Sequence, residues 1–260
     1  MQPEARLGTV KLVGAGPGAA DLLTLRAARA IGSAQALLYD ALISDEVLAL
    51  APVACLKIQT GKRAGRTSMK QETINRLMLR LARRGVDVVR LKGGDPSIFG
   101  RVGEEQAFLN EHGVSTEVVP GVTAASAAAA QFGFPLTHRG ESRRLLICTA
   151  TAAGGGLVEV GRRSVGADTT LALYMARDQV KDAANQLMGE GWPGCTPAIA
   201  VENAGHRDAR GVPGTLETLA EALDAAKPTG PVVILIGDVT ARAAIASFAD
   251  ASVPQWRALS

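Results

Sequence analysis

Short β-branched runs alternate with longer amphipathic stretches along most of this chain, and that alternation predicts an α/β architecture. Residues 9–14, 36–39, 56–60, 86–91 and 116–119 read as strands. Between them, residues 22–31, 71–84 and 103–112 carry apolar positions at helical spacing, and a further helix follows Pro120 and Gly121 over 124–131. Its run of alanines permits very close packing against a sheet. The alternation then restarts. Residues 144–149, 170–175, 198–201 and 232–237 read as strands, and 180–190 and 215–226 as helices, the second with Thr215 as its N-cap. Between the halves lies Phe134-Pro-Leu-Thr-His-Arg-Gly140, short and rich in turn formers. It divides the chain into an N-terminal α/β domain over 1–135 and a C-terminal α/β domain over 141–247. Residues 152–156 and the stretch after Gly166 read as surface loops, and 248–260 as a loose tail.

Composition narrows the class. Of 260 residues, 47% are hydrophobic but only 3% aromatic, so the core is built from Ala, Gly, Leu and Val at close approach rather than from large rings. No run of roughly 18 apolar residues offers a membrane span. Met1-Gln-Pro-Glu-Ala-Arg6 lacks the basic and apolar regions of a signal peptide, so a cytoplasmic location is expected. Cys55, Cys148 and Cys195 are odd in number and widely spaced, which suits small core residues better than a disulfide framework or a zinc site. The net charge is +3. Lys62, Arg63 and Arg66 crowd one loop, and His138, Arg139, Arg143 and Arg144 another. Neither cluster is interleaved with aromatics, which argues against nucleic acid and leaves a solvated surface or an anionic ligand.

The glycine-rich segments carry the candidate chemistry. Val13-Gly-Ala-Gly-Pro-Gly-Ala-Ala-Asp21 follows the first strand. Gly14, Gly16 and Ala19 satisfy the spacing G-x-G-x-x-G/A of a dinucleotide-binding turn, and Asp40 ends the second strand where a ribose-binding carboxylate would stand. A nicotinamide-dependent oxidoreductase is therefore one reading. Pro17 weakens it, because proline removes a backbone N–H from the array that would hold a pyrophosphate. A further reading is that these glycines serve only tight packing of strand and helix. Lys92-Gly-Gly-Asp-Pro96 leaves the fourth strand at the same edge. Its paired glycines allow a ligand close to the backbone, and Asp95 can accept from an amine or a ribose hydroxyl.

Several segments occur together and in order: Gly14-Ala-Gly-Pro-Gly18, Tyr39-Asp40, Gly61-Lys62-Arg63, Leu91-Lys-Gly-Gly-Asp-Pro-Ser-Ile-Phe-Gly-Arg101, Pro120-Gly-Val-Thr-Ala124, Pro135-Leu-Thr-His-Arg-Gly140 and Val201-Glu-Asn203. In this combination the chain, over about residues 8–240, resembles the uroporphyrinogen-III C-methyltransferases of the tetrapyrrole methylase family. The resemblance implies two α/β domains with an active site in the cleft between them, in a homodimer. It implies S-adenosylmethionine as the methyl donor, S-adenosylhomocysteine as its product, and methylation of uroporphyrinogen III at C2 and C7 to give precorrin-2 for sirohaem or cobalamin. By matching motif, Pro17, Gly93, Gly94, Asp95, Ile98, Thr123, Ala124, Met175 and Ala204 would bind the cofactor. Asp40 and Lys62 take the acid/base positions, with Arg101 or an ordered water as rival bases, and Arg101 and Glu104 fall in the substrate-facing stretch. An eight-carboxylate substrate suits Arg63, Arg66, Arg101 and Arg139 as charge-assisted partners. No metal is implied.

The sequence departs from that pattern at Ser97, where an aromatic or larger apolar residue is usual. It departs again at Val102, Ala176 and Ala204, where glycine is usual. A β-branched residue at 102 disfavours the left-handed backbone that glycine permits. Cys148-Thr-Ala-Thr-Ala-Ala-Gly154 replaces a common Thr-Gly-His. Bland roles also suit several residues: a turn cap for Asp40, core filling for Met175, a strand-end turn for Asn203. The rival functions are a later corrin-ring methylase or diphthine synthase, the oxidoreductase, and a non-catalytic tetrapyrrole-binding protein.

Overall fold

The structure, a computed structural model, describes residues 6–61, 69–150 and 168–244. The chain divides into two units, Met1–Ala127 with Gly205–Asp208, and Ala128–Ala204 with Ala209–Ser260. That division falls within a helix, Ala124–Gln131, on the N-terminal side of the turn-rich segment 134–140.

In the first unit, strands β1 (Val10–Gly14), β2 (Ala36–Tyr39), β3 (Leu56–Gln59), β4 (Val88–Lys92) and β5 (Thr116–Val119) form one parallel sheet in the order β3-β2-β4-β1-β5. Both faces are covered, so the inner strands β1, β2 and β4 are buried along most of their length, while the edge strands β3 and β5 are partly exposed. Val10, Leu12, Ala36, Leu38 and Val88 point to one face and pack with Ile74 and Met78 of α3 (Gln71–Arg83) and Leu109 of α4 (Val102–Glu111). Their neighbours Val13, Leu37, Val89 and Leu91 point to the other face. They meet Ala27, Ala30 and Ile31 of α1 (Leu25–Gly32) and Val47 of α2 (Asp45–Leu48). Helix α3 illustrates the logic: Ile74, Met78, Leu81 and Ala82 recur on one side, while Arg76, Arg80 and Arg83 face solvent.

Two local features differ from the sequence reading. Helix α1 starts at Leu25 rather than 22, because Ala20–Leu22 forms a separate 3-10 turn and the Thr24 side chain caps the helix by accepting from the Ala27 N–H at 3.1 Å. Helix α2 was not expected. It is four residues long, capped by Ser44, whose hydroxyl accepts from the Val47 N–H at 3.4 Å.

The second unit holds strands β6 (Arg144–Thr149), β7 (Thr169–Tyr174), β8 (Pro197–Glu202), β9 (Arg210–Thr215) and β10 (Val232–Ile236) in the order β6-β7-β10-β8-β9. Only the β6–β7 pair is parallel. Leu171, Leu173, Ala198, Ala200, Ile234 and Ile236 form one core with α6 (Val180–Gly189) and α7 (Leu219–Ala226). Strand β9 was not among the strands expected, and it carries Gly211, Pro213 and Gly214. It lies at a sheet edge, where proline is tolerated, and Gly211 leaves room for the Phe132 ring against its backbone. The expectation that Thr215 caps a helix is corrected: Thr215 closes β9, and α7 follows Thr218, whose hydroxyl accepts the Thr215 N–H at 2.9 Å. The cysteine expectation is met at Cys55, which is buried, and fails at Cys195, which is exposed.

Among the described residues, no helix is long and apolar enough to cross a membrane, and no three His, Cys, Asp or Glu side chains are grouped to hold a metal.

Candidate functional site

The register of the first sheet brings four strand ends level: Gly14 lies opposite Lys92, Val13 opposite Val119, and Tyr39 opposite Leu91. The segments that follow, at 15–17, 40–42, 93–95 and 120–124, therefore leave the sheet at its carboxyl edge. Open α/β sheets bind ligands there. Three of these loops interlock. The Ala15 N–H donates to the Lys92 carbonyl at 2.9 Å, Gly16 and Gly94 exchange N–H bonds of 3.2 and 2.7 Å, and the Gly121 N–H donates to Asp95 Oδ2 at 3.0 Å. Close approach accounts for the glycines: a Cβ on Gly14 would lie 2.6 Å from the Gly121 nitrogen, and one on Gly121 would overlap the Gly94 carbonyl oxygen. Gly94 is different. Its φ is +68°, yet an added Cβ would meet nothing nearer than 4.0 Å, so its face is open.

Sheet order overturns the dinucleotide reading of 14–19. That fingerprint needs its acidic residue on the strand next to the first, with a helix opening from the glycine turn. Here β4 separates β1 from β2, and α1 opens only at Leu25. Asp40 instead faces the Gly-Gly segment. Its Oδ2 accepts from the Gly93 N–H at 3.3 Å, and its Oδ1 accepts from the Leu42 N–H at 3.0 Å. The turn-capping role and the placement at the edge are therefore both present. Pro17 lies against Gly205, where an added Cβ would overlap the proline ring, and the Ala19 N–H donates to the Gly205 carbonyl at 2.9 Å.

Asp95 is committed to backbone: besides Gly121 it accepts from the Ser97 N–H at 2.7 Å. Ile98, Thr123 and Ala124 are half-buried on the same edge. Arg101 and Glu104 are exposed and paired with each other, Nε to Oε1 at 2.8 Å and Nη2 to Oε2 at 2.6 Å. The hydrogen bonds that Arg101 donates to Glu104 raise the Arg101 pKa above its ordinary value and lower that of Glu104. The backbone strain expected at Val102 sits one residue earlier. Val102 opens α4, while Arg101 has φ +57° and Phe99 φ +53°.

Sequence reasoning missed a buried ionic cluster beneath this edge. Glu105, with no exposed side-chain surface, accepts from Lys92 Nζ at 2.8 Å, Arg90 Nε at 3.3 Å and Gln71 Nε2 at 2.9 Å. Burial pushes the Lys92 pKa down, against the attraction of Glu105. The signal available was a pair of basic residues inside an apolar strand, Arg90 and Lys92, which no strand buried on both faces carries without a partner.

In the second unit, β7 and β8 flank β10 and run in the same direction, and Tyr174 and Val201 both stand opposite Val233. Met175 and Asn203–Ala204 thus leave one edge of that sheet. Met175 and Asn203 each have φ +53°, and Met175 is 55% exposed, so it does not fill the core. Glu202 anchors the turn: it accepts N–H bonds from Thr229 at 2.6 Å and Gly230 at 2.7 Å, and pairs with Arg210 at 2.8 Å. Arg139 is exposed in a turn closed by reciprocal bonds between His138 and Ser142, of 2.8 and 2.9 Å. Lys62, Arg63 and Arg66 lie outside the described residues, as do 151–154 and 248–260.

A parallel sheet whose carboxyl-edge loops interlock through glycines, with one carboxylate turned onto them, defines an α/β protein of other than the dinucleotide-binding topology. Residues 9–220 match the family model of the tetrapyrrole (corrin/porphyrin) methylases, and the chain belongs to that family. It is 44% identical over 89% of its length to the S-adenosyl-L-methionine-dependent uroporphyrinogen III methyltransferase, chloroplastic, of Arabidopsis thaliana. It is 39% identical over 98% of its length to a uroporphyrinogen-III C-methyltransferase of Paracoccus denitrificans, of which it covers 89%. The crystal structure of a uroporphyrin-III C-methyl transferase from Thermus thermophilus, complexed with S-adenosylhomocysteine, superposes with a TM-score of 0.77 at 42% identity, covering 90% of this chain and 99% of that one. The chain spans 63% of the Arabidopsis protein and about half of the sirohaem synthases that it also matches, 51% for that of Xylella fastidiosa. Family membership displaces the oxidoreductase reading.

Proposed function

We propose that this chain is an S-adenosylmethionine-dependent C-methyltransferase that methylates uroporphyrinogen III at C2 and C7 to give precorrin-2. The observation that carries the proposal is the first sheet's carboxyl edge, where Asp40 faces Gly93, the Gly94 face is open, and the Arg101–Glu104 pair ends the same loop. That edge fits the donor: open glycine backbone admits a close ligand, and polar backbone surrounds it. When bound, S-adenosylmethionine supplies a methyl group already activated on a sulfonium, so the protein mainly has to align and to move a proton. Gly93, Gly94, Asp95, Ile98, Thr123 and Ala124 would hold the donor on the first unit, together with Pro17. Met175 and Ala204 would contribute from the second.

Asp40 is our candidate base. Each of its oxygens accepts one backbone N–H and keeps a further lone pair for the proton released as the ring system rearranges. Arg101 is the poorer candidate, since Glu104 holds its proton more tightly. Arg101 suits a substrate carboxylate instead, and Arg63, Arg66 and Arg139 share that role in the proposal. Lys62 is assigned an electrostatic role. The homodimer, the cytoplasmic location and the absence of a metal requirement belong to the same proposal, as do domains 1–135 and 141–247.

The test is the Asp40→Ala variant, assayed for labelled methyl transfer and, by calorimetry, for S-adenosylhomocysteine affinity. Turnover should fall by about 10²-fold or more, the scale of a lost general base, with affinity little changed. An affinity collapse with unchanged turnover at saturation makes Asp40 a binding residue. Tight NAD(P) binding without S-adenosylhomocysteine binding defeats the proposal.

A further inference from the structure

The loop from Gly93 to Arg101 joins two parts of the proposed site, the glycine edge and the Arg101–Glu104 pair. It carries two non-glycine residues in the left-handed region, Phe99 and Arg101, so something must hold it. Its start is tied by the Ala15 bond to the Lys92 carbonyl and by the Gly16–Gly94 exchange, and its middle by Asp95. Its far end is tied by Glu105, four residues beyond Arg101 on α4. The Glu105 carboxylate reaches back to Lys92 Nζ at 2.8 Å, the residue immediately before Gly93, and to Arg90 Nε at 3.3 Å on the same strand. Gln71 of α3 donates to it at 2.9 Å, and Arg90 also donates through Nη1 to the Leu91 carbonyl at 2.9 Å.

This cluster places two cations and one anion at 0–6% side-chain exposure. Replacing such buried ions by apolar groups is often neutral or stabilising, so stability is a weak reason for having them. A fixed spacing is a better one. The bonds tie the last residue of the strand before the loop to the first turns of the helix after it, at a geometry that shorter or neutral side chains do not reproduce. We infer that Glu105 is a positioning residue, which sets the separation between the Gly93–Gly94 backbone and the Arg101–Glu104 pair. The inference rests on the function proposed above, and it assigns Glu105 no contact with donor or substrate.

The test compares Glu105→Gln, which keeps length and loses charge, with Glu105→Asp, which keeps charge and loses length. Asp87→Asn serves as a stability control, because Asp87 secures Thr9 and Arg6 at the opposite end of β4. S-adenosylhomocysteine affinity and the KM for uroporphyrinogen III are measured well below each melting midpoint. Both Glu105 variants should weaken both constants by about tenfold, as misplacement of site groups does, while Asp87→Asn lowers only the midpoint. Wild-type constants in the Glu105 variants overturn the inference, and so does a loss confined to the melting midpoint. If only Glu105→Asp folds, it decides alone: wild-type constants with the shortened carboxylate defeat the spacing role. A wild-type chain that binds no S-adenosylhomocysteine instead defeats the proposed function, and this inference falls with it.

Discussion

At the carboxyl edge of the first sheet the chain turns through Gly16 and Gly94, with φ of +69° and +68°, and its loops are joined by backbone N–H bonds. At the matching strand ends of the second sheet it turns through Met175 and Asn203, both at +53°, and a side chain, Glu202, does the anchoring. A left-handed backbone costs a residue with a side chain about 1–2 kcal/mol, while glycine accepts it freely. At Gly16 and Gly94 the first edge thus avoids strain and gains close approach between loops, and the left-handed Phe99 and Arg101 come only further along the loop that follows Gly94. The second accepts strain and gains an exposed thioether side chain at a turn. Strain of that kind, held in place by surrounding structure, is characteristic of functional sites.

The contrast predicts unequal responses to mutation. Gly121→Ala should be the most damaging change, because its Cβ would overlap a carbonyl oxygen that the interlocked loops cannot move. We expect a loss of about 3 kcal/mol in urea unfolding, at the upper end of overpacking costs. Glu202→Gln removes a nearly buried anion from two N–H donors and Arg210, and should cost about 2 kcal/mol by the same measurement. Met175→Gly should behave in the opposite sense. Relief of the left-handed backbone raises stability by up to about 1 kcal/mol, while S-adenosylhomocysteine affinity falls. A Met175→Gly protein that is less stable yet binds normally would remove the distinction between the two edges.

The smallest effect concerns Asp87, at the far end of β4. Its pKa lies below the ordinary 3.8, chiefly through the Thr9 backbone N–H, with Arg6 assisting. A carboxyl group whose folded pKa is depressed stabilises the fold above its unfolded value and loses that contribution as pH falls through the folded one. Thermal midpoints should therefore drop as pH falls below 3.8, and Asp87→Asn should flatten that drop while leaving methyl transfer at neutral pH unchanged.

Much of this was legible in the chain. Strands β2, β5 and β6 begin and end where the hydrophobic pattern places them. The ordered motifs likewise brought out Asp40, Gly93, Gly94 and Asp95, which the sheet register collects at one edge. What escaped was set by tertiary partners. Strand β9 exists because an edge position tolerates Pro213 and because Phe132 covers Gly211. The dinucleotide spacing at 14–19 is genuine in sequence but void in space, since β4 lies between β1 and β2. Spacing cannot reveal which strand is inserted. Glu105 was hidden for a related reason: its partners on β4 are 13 and 15 residues away, and on α3 34 residues away, while its neighbour Glu104 drew attention by pairing locally with Arg101.

Incubation of the whole chain with uroporphyrinogen III and S-adenosylmethionine, followed by mass analysis of the tetrapyrrole, tests the proposed function most directly. The product should carry two added methyl groups. A tetrapyrrole recovered without any, from a chain that binds S-adenosylhomocysteine, would contradict the proposed reaction.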